Sequence, residues 1–327
     1  MSTIRNGEWI LKKIECLSIC KRAKRKEIAL VVRELSAKYP LTELLKLSGI
    51  PRSTYYYFQS QKERDYSFDM EMIKKVFEEN KGRYGYRRIT IALNKLPEYK
   101  NNPINHKKVL KLMRLLGLKC KSSNVSRYNS YKGNVGKTVK NLLLDKVVDE
   151  ENNKTYYERN FNVTEPNQVW CTDVTEFKLG EDKIYLSPII DLYNEEIIAY
   201  DVSEHPTMYQ IWNMMEQAYD RLQPNDTPIF HSDQGWQYQQ KSFQKALKEH
   251  NITQSMSRKG NCLDNSIIEN FFGRMKTEMF YGLKYDSTYE LKEAIHDYIY
   301  YYNNKRIKSK LKGLSPIEYR TQSYSFV

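Results

Sequence analysis

No stretch of the 327-residue chain reaches 18 consecutive apolar residues, the length a membrane-spanning helix needs. Charges interrupt residues 1–26 at short intervals, so a cleavable export signal is not expected there. The same residues lack the apolar positions for two heptads, which excludes a leucine zipper. Cysteine is scarce. Cys16, Cys20, Cys120, Cys171 and Cys262 form no regular framework, and their odd number suits free thiols in a reducing compartment. Cys16 and Cys20 have half the spacing of a zinc site, but no second His/Cys pair follows, so structural zinc is not expected. The expectation is a cytoplasmic protein with no membrane partner.

Negative charge is the other deficit, and it is uneven. Residues 1–165 carry 35 Lys and Arg against 18 Asp and Glu, whereas residues 166–327 carry 18 against 22. Neutralising phosphates with counterion release dominates nucleic-acid affinity, so the cationic half is the expected nucleic-acid-binding half. The acidic half holds carboxylates in three separate motifs. QVWCTDVTEF places Asp173 in an alternating apolar segment that reads as a strand. IFHSDQGWQY places Asp233 just past a short apolar strand, and SMSRKGNCLDNSIIENFFGRMK places Glu269 on a helix, with 35 residues between it and Asp233. Asp264, Asn265 and Ser266 are N-cap residue types at the entry of that helix. Ile268, Phe272, Met275 and Met279 form its apolar stripe, while Glu269 and Lys276 project together from the polar edge.

Three acids from three elements suit phosphodiester chemistry. The diester repels nucleophiles, and enzymes that break it use divalent ions to activate the attacking oxygen and stabilise the leaving one. Mg²⁺ takes carboxylate and water oxygens, so two or three Asp/Glu side chains suffice.

The ordered motifs W-x-x-D-x-T (Trp170 to Thr175), H-S-D-x-G-x-Q-Y (His231 to Tyr238) and S-x-x-G-N-x-x-D-N-x-x-x-E-x-F-F (Ser257 to Phe272), with a lysine seven after the glutamate, closely resemble bacterial insertion-sequence transposases of the DDE type. More narrowly the chain resembles their second-reading-frame (OrfB) product, whose core is similar to retroviral integrase, and the similarity covers roughly residues 25–320. The paired His and Cys ligands of the retroviral integrase amino-terminal domain are missing. The resemblance implies an RNase H-like α/β catalytic core preceded by all-α helix-turn-helix-like modules. It implies a polynucleotidyl transferase that cleaves and joins element ends, with Asp173, Asp233 and Glu269 holding Mg²⁺ or Mn²⁺, two ions in all. Lys276, Asn265 and His231 are second-rank candidates for positioning DNA. The rival reading is a non-catalytic regulator that occupies the terminal repeats, whose signature would be a broken triad; here the triad is whole.

In chain order, residues 1–24 read as a basic arm and residues 25–60 as a helix-turn-helix. Thr42 is a candidate cap, Ser48-Gly49-Ile50 makes the turn, and Arg52, Ser53 and Thr54 open the recognition helix. Residues 67–121 form a second helical DNA-binding module, in which Arg83, Arg87 and Arg88 of GRYGYRRI are candidates for phosphate contact. Residues 122–165 show no sustained period and read as a linker.

Residues 166–285 make the core, a mixed five-stranded sheet with helices: strands at 169–178, 183–191, 196–202, 228–232 and 253–256. Residues 286–327 add a helix capped by Thr288 and a basic tail in which Lys305, Arg306, Lys308, Lys310 and Lys312 read as a DNA clamp. The expected partners are double-stranded DNA, as terminal inverted repeats and target, and further copies of the chain in a homo-oligomer, in nucleoid-associated form. Either an upstream-frame product completes the transposase or the helical modules suffice without it.

Overall fold

The computed structural model describes residues 25–60, 65–121, 138–149, 154–258 and 261–324. They belong to two compact units, Met1–Phe68 and Asp69–Val327. The basic arm and the Cys16/Cys20 pair lie outside the described residues.

In the first unit, α1 (Arg25–Leu35), α2 (Leu41–Ser48) and α3 (Arg52–Ser60) enclose Ala29, Val32, Leu35, Leu44, Leu45, Ile50 and Tyr55. Gly49 ends α2 at φ +64°, a left-handed conformation that costs glycine no steric penalty, and this sharp turn aims α3 away from α2. Pro40, not Thr42, occupies the cap position of α2.

The second unit begins at Asp69 within α4 (Ser67–Glu79) and continues with α5 (Tyr86–Asn94) and α6 (His106–Leu115), the last capped by Asn105, which accepts the Lys107 N–H at 2.8 Å. The expected linker contains an antiparallel hairpin, β1 (Leu144–Asp149) and β2 (Lys154–Arg159), with Leu144 opposite Arg159.

The core follows as β3 (Val169–Thr172), β4 (Thr175–Leu179), β5 (Asp182–Asp191), β6 (Glu196–Ser203), α7 (Met208–Tyr219), β7 (Ile229–Ser232), α8 (Lys241–Glu249), β8 (Thr253–Met256), α9 (Ser266–Met279), α10 (Thr288–Asn304) and α11 (Pro316–Tyr324). The sheet has the order β4-β5-β3-β7-β8, with β6 on the other edge of β5. It counts six strands because the expected first strand is divided at Asp173 and Val174. Both pieces pair with β5, Trp170 opposite Asp191 and Thr175 opposite Leu186. β3, β7 and β8 run parallel.

Side chains alternate across a strand, so the sheet builds two cores. Val169, Cys171, Phe177, Leu186 and Ile190 pack against Ile268, Phe271, Met275 and Met279 of α9 and against Leu291, Ile295 and Tyr298 of α10. On the opposite face Trp170, Ile189, Ala199 and Phe230 pack against Ile211, Met214 and Met215 of α7 and Phe243 and Leu247 of α8. Ser287, one residue ahead of the expected Thr288, caps α10 by accepting the Glu290 N–H at 3.1 Å. Ser315 and Glu318 form a reciprocal capping box at the start of α11, and Arg320 of that helix ion-pairs with Asp191 and Glu196. Among the described residues, no helix is long and apolar enough to cross a membrane.

Candidate active site

Two of the three acids are brought together by strand register. β3 and β7 are neighbours and parallel, with Trp170 level with Phe230 and Cys171 level with His231. Counting on two residues, Asp173 and Asp233 leave the carboxyl ends of adjacent strands at the same height. Strand neighbours lie about 4.8 Å apart, and the carboxyl ends of parallel strands are where open α/β sheets place ligands. Parity assigns both acids to one face: Asp173 follows Val169 and Cys171, and Asp233 follows Ile229, all of which pack toward α9.

Each aspartate also shapes its own loop. Asp173 Oδ1 accepts the Val174 N–H at 2.8 Å, which diverts the backbone from the ladder and divides the strand. Asp233 Oδ1 accepts the Gly235 N–H at 2.8 Å. A Cβ on Gly235 would stand 2.9 Å from that oxygen and 2.7 Å from Gln237 Nε2, so glycine is what lets the turn close on the carboxylate.

Glu269 arrives on the first turn of α9, and the start of that helix is pinned from two sides. Asn265, expected as a cap or a DNA contact, is buried and donates from Nδ2 to the Thr172 carbonyl at 3.1 Å, tying α9 to the end of β3. Asp264, the other expected cap, is also buried. It accepts from Arg258 Nε and Nη2 at 2.9 Å, Arg159 Nε at 2.8 Å and Asn141 Nδ2 at 3.0 Å. Burial works against its charge, but these donors outweigh that and hold the carboxyl at about 2. Asn141 and Arg159 gave no sequence signal, because their partner lies more than 100 residues away.

The three acids are half-buried, and their charges act on one another. Burial raises Asp173 well above the ordinary carboxylate range, and the charges of Asp233 and Glu269 raise it further. Burial also raises Asp233, and burial with the Asp233 charge raises Glu269. Lys276 is partly desolvated, which lowers its own pKa, and its Nζ sits 5.2 Å from the Phe177 ring centroid. One such lysine leaves the acids under-neutralised, and an all-oxygen donor set short of positive charge fits a hard divalent cation. Among the described residues, no three His, Cys, Asp or Glu side chains form a ready-made cage for an ion.

Residues 163–262 and 269–324 each match an integrase core domain, and residues 63–124 match an HTH-like domain. Over 296 residues the chain is 48% identical to the putative transposase InsK for insertion sequence element IS150 of Escherichia coli strain K12, spanning 90% of this chain and 98% of that protein. The chain belongs to the insertion-sequence transposases. It is also 53% identical over 220 residues to a transposase-like protein of Haemophilus influenzae, covering 67% of this chain and 94% of the relative. Among solved structures, the HTLV-2 integrase catalytic core domain in complex with magnesium matches at 22% identity and TM-score 0.37, covering 47% of this chain and 97% of that one. Integrase-core enzymes use divalent metal ions, and the HTH-like and integrase domains bind DNA.

The residues expected to touch DNA fall into two groups in this transposase. Arg52, Ser53, Arg87 and Lys305 are exposed, with the Arg52 guanidinium 5.8 Å from the Tyr56 ring. Thr54 is half-buried at the start of α3. Arg83, Arg88 and Arg306 instead join a junction inside the second unit: Arg306, expected in the DNA clamp, is buried, while Arg83 and Arg88, expected at phosphates, are half-buried. Arg306 is 1% exposed. It donates to Glu278 of α9 from Nε at 3.0 Å and from Nη2 at 2.5 Å. Tyr298 donates to the same carboxylate at 2.9 Å, and Arg88 stands 3.7 Å from it. Arg83 stacks on Tyr301 at 4.4 Å, and Tyr84 donates to the Lys305 carbonyl and accepts the Ile307 N–H, both at 3.0 Å.

The GRYGYRRI segment therefore fastens the second helical module to the core. Lys308 of the expected clamp is buried as well, donating to Glu195 at 2.7 Å and to Tyr302 at 2.6 Å. His231 is fully buried with Nδ1 2.9 Å from Ser255 Oγ, and burial lowers its pKa to about 4; it supports the strand and does not face DNA.

Proposed function

We propose that Asp173, Asp233 and Glu269 are the carboxylates with which this transposase cleaves and joins the ends of its element. The observation that carries the reading is the level placement of Asp173 and Asp233 on adjacent parallel strands, with α9 pinned beside them by Asn265. The favoured ions are Mg²⁺ (or Mn²⁺), two in all, and Asp173, Asp233 and Glu269 would hold them. When bound, such ions lower the pKa of an attacking water and stabilise charge on the phosphate oxygens. The protein's own contribution is positional. Asp173 and Asp233 are oriented by the Val174 and Gly235 N–H groups. Lys276 supplies a desolvated ammonium on the polar edge of α9, suited to a phosphate oxygen. Water or a terminal 3′-hydroxyl attacks in line, and no covalent protein intermediate is formed.

The proposed partners are double-stranded DNA, as terminal inverted repeat and target, bound through the exposed start of α3 together with Arg87 and Lys305. Joining two ends requires both to be held at once, so the working form is a homo-oligomer on DNA. An upstream-frame product is proposed to raise end-specific binding about tenfold, equivalent to ~1.4 kcal/mol.

The test replaces each acid by its amide. Asp173→Asn, Asp233→Asn and Glu269→Gln should each abolish Mg²⁺- or Mn²⁺-dependent cleavage of labelled end DNA while binding stays within a few-fold, because each removes charge and little volume. Wild-type cleavage by any one of them would refute the assignment.

A further inference from the structure

A cavity of about 290 Å³ opens beside Asp173 and Asp233. Its walls include Val174, Tyr185, Pro206, Ile211 and Trp236, and its charged lining is Asp173, Asp233 and Glu176, with no lysine or arginine. Trp236 is 48% exposed, unlike the fully buried Trp170. The indole rides on a single helical turn, Trp236–Gln239, whose next aromatic, Tyr238, is locked in the core 5.8 Å from Phe243. Trp236 is thus a flat apolar surface on a fixed mount, turned outward where the acids converge.

The lining decides what such a space can accept. Asp173 and Asp233 are the acids proposed to hold the ions, so the reacting phosphate belongs at their end, and Val174, Tyr185, Pro206, Ile211 and Trp236 line the space beside it. Aromatic and aliphatic walls favour a planar neutral group, and the volume sits at the lower end of small-molecule sites. The neutral planar part of a DNA substrate is its base. Enzymes that work on a nucleotide inside a duplex commonly draw its base from the stack, at a cost that is least where the base is unpaired. Stacking on an aromatic side chain offsets that cost.

We propose that this cavity receives one unstacked nucleobase adjoining the reacting phosphate, with Trp236 as its stacking platform. The proposal rests on the reading of Asp173 and Asp233 as the reacting centre. The base comes either from the element end or from the target, and the two sources are separated by where an unpaired nucleotide is placed.

The experiment uses the full chain with Trp236→Ala and Trp236→Phe, an end duplex, and a target duplex for joining of pre-cut ends. Trp236→Ala should bind end DNA within about twofold of wild type and react roughly tenfold to a hundredfold more slowly, with Trp236→Phe close to wild type. A single mismatch beside the reacting phosphate should restore most of the alanine variant's rate, because unstacking no longer has to be offset. Rescue by a mismatch in the end duplex assigns the base to the element, and rescue only by one in the target duplex assigns it to the target. Wild-type rates for Trp236→Ala, or an equal deficit on every mismatched duplex, would overturn the proposal. A readout independent of cleavage is 2-aminopurine in the Asp173→Asn complex. A position-specific change in emission that Trp236→Ala removes supports the pocket, whatever the role of the acids, and no such change at any position overturns it.

Discussion

Removing the charge of Glu278 while keeping its shape should destabilise the second unit. In Glu278→Gln the amide occupies the same space, but Arg306, 1% exposed, and Arg88 lose their carboxylate. Burial opposes the Glu278 charge, yet Arg306 outweighs it and holds the carboxyl below its ordinary range, while the same pairing pushes the guanidinium up. Breaking a buried pair by removing one partner costs about 3–5 kcal/mol, because the remaining charge is left uncompensated. At about 2–4 °C per kcal/mol for a unit of this size, the melting temperature should fall by roughly 6–20 °C, measurable by calorimetry or by tryptophan emission on heating. The double variant Glu278→Met with Arg306→Met removes both charges, and apolar replacement of a buried pair is often near neutral. It should therefore melt well above Glu278→Gln. A single variant as stable as wild type, or a double variant that loses as much as both singles together, would refute the argument.

Asp264 predicts an acid limb in the same melting experiment. Its folded pKa of about 2 lies below the ordinary 3.8, so its stabilisation is complete above about pH 4 and is lost as pH falls through 2. Two pH units correspond to about 2–3 kcal/mol, and Asp264→Asn should be less stable at pH 7 and flatter between pH 4 and 2. Gly235→Ala should melt like wild type yet cleave about ten- to a hundredfold more slowly, since its Cβ pushes on Asp233 Oδ1; unchanged cleavage would show that the carboxylate tolerates the shift. Arg87→Gln should lower the slope of log affinity against log salt by about 1, whereas Arg88→Gln should leave the slope unchanged and lower the melting temperature. Equal slopes for both variants would remove the distinction between exposed and buried arginines.

The helices and the order of core strands were legible because they are written locally, in apolar period, Gly49, Asn105 and the turn residues. The acids stood out in the sequence because ordered motifs surround them, and the level placement of Asp173 and Asp233 came only with the β3–β7 register. What could not be read were partners distant in the chain. Arg83, Arg88 and Arg306 look like any other surface cations until Glu278 and Tyr301, both far along the chain from the first two, are folded against them. Residues 122–165 read as a linker because β1 and β2 carry little apolar alternation; Arg159 anchors the hairpin through an ion pair with Asp264. The division of the first strand was hidden for a different reason. Asp173 takes the N–H of its own successor, a bond that leaves the apolar pattern of Val169–Lys178 intact.

The shared height of Asp173 and Asp233 has a bearing on how such a chain tolerates change. Their alignment is a property of the β3–β7 ladder and is indifferent to the number of residues that separate them. Length can drift at the exposed Gly180 turn or in the exposed 204–207 loop while the acids stay level. One residue gained or lost between Val169 and Asp173, or between Ile229 and Asp233, would instead rotate an acid to the other side of the sheet. The pair is therefore guarded by a few residues immediately before each aspartate, and the length of the exposed turns between them is free to vary.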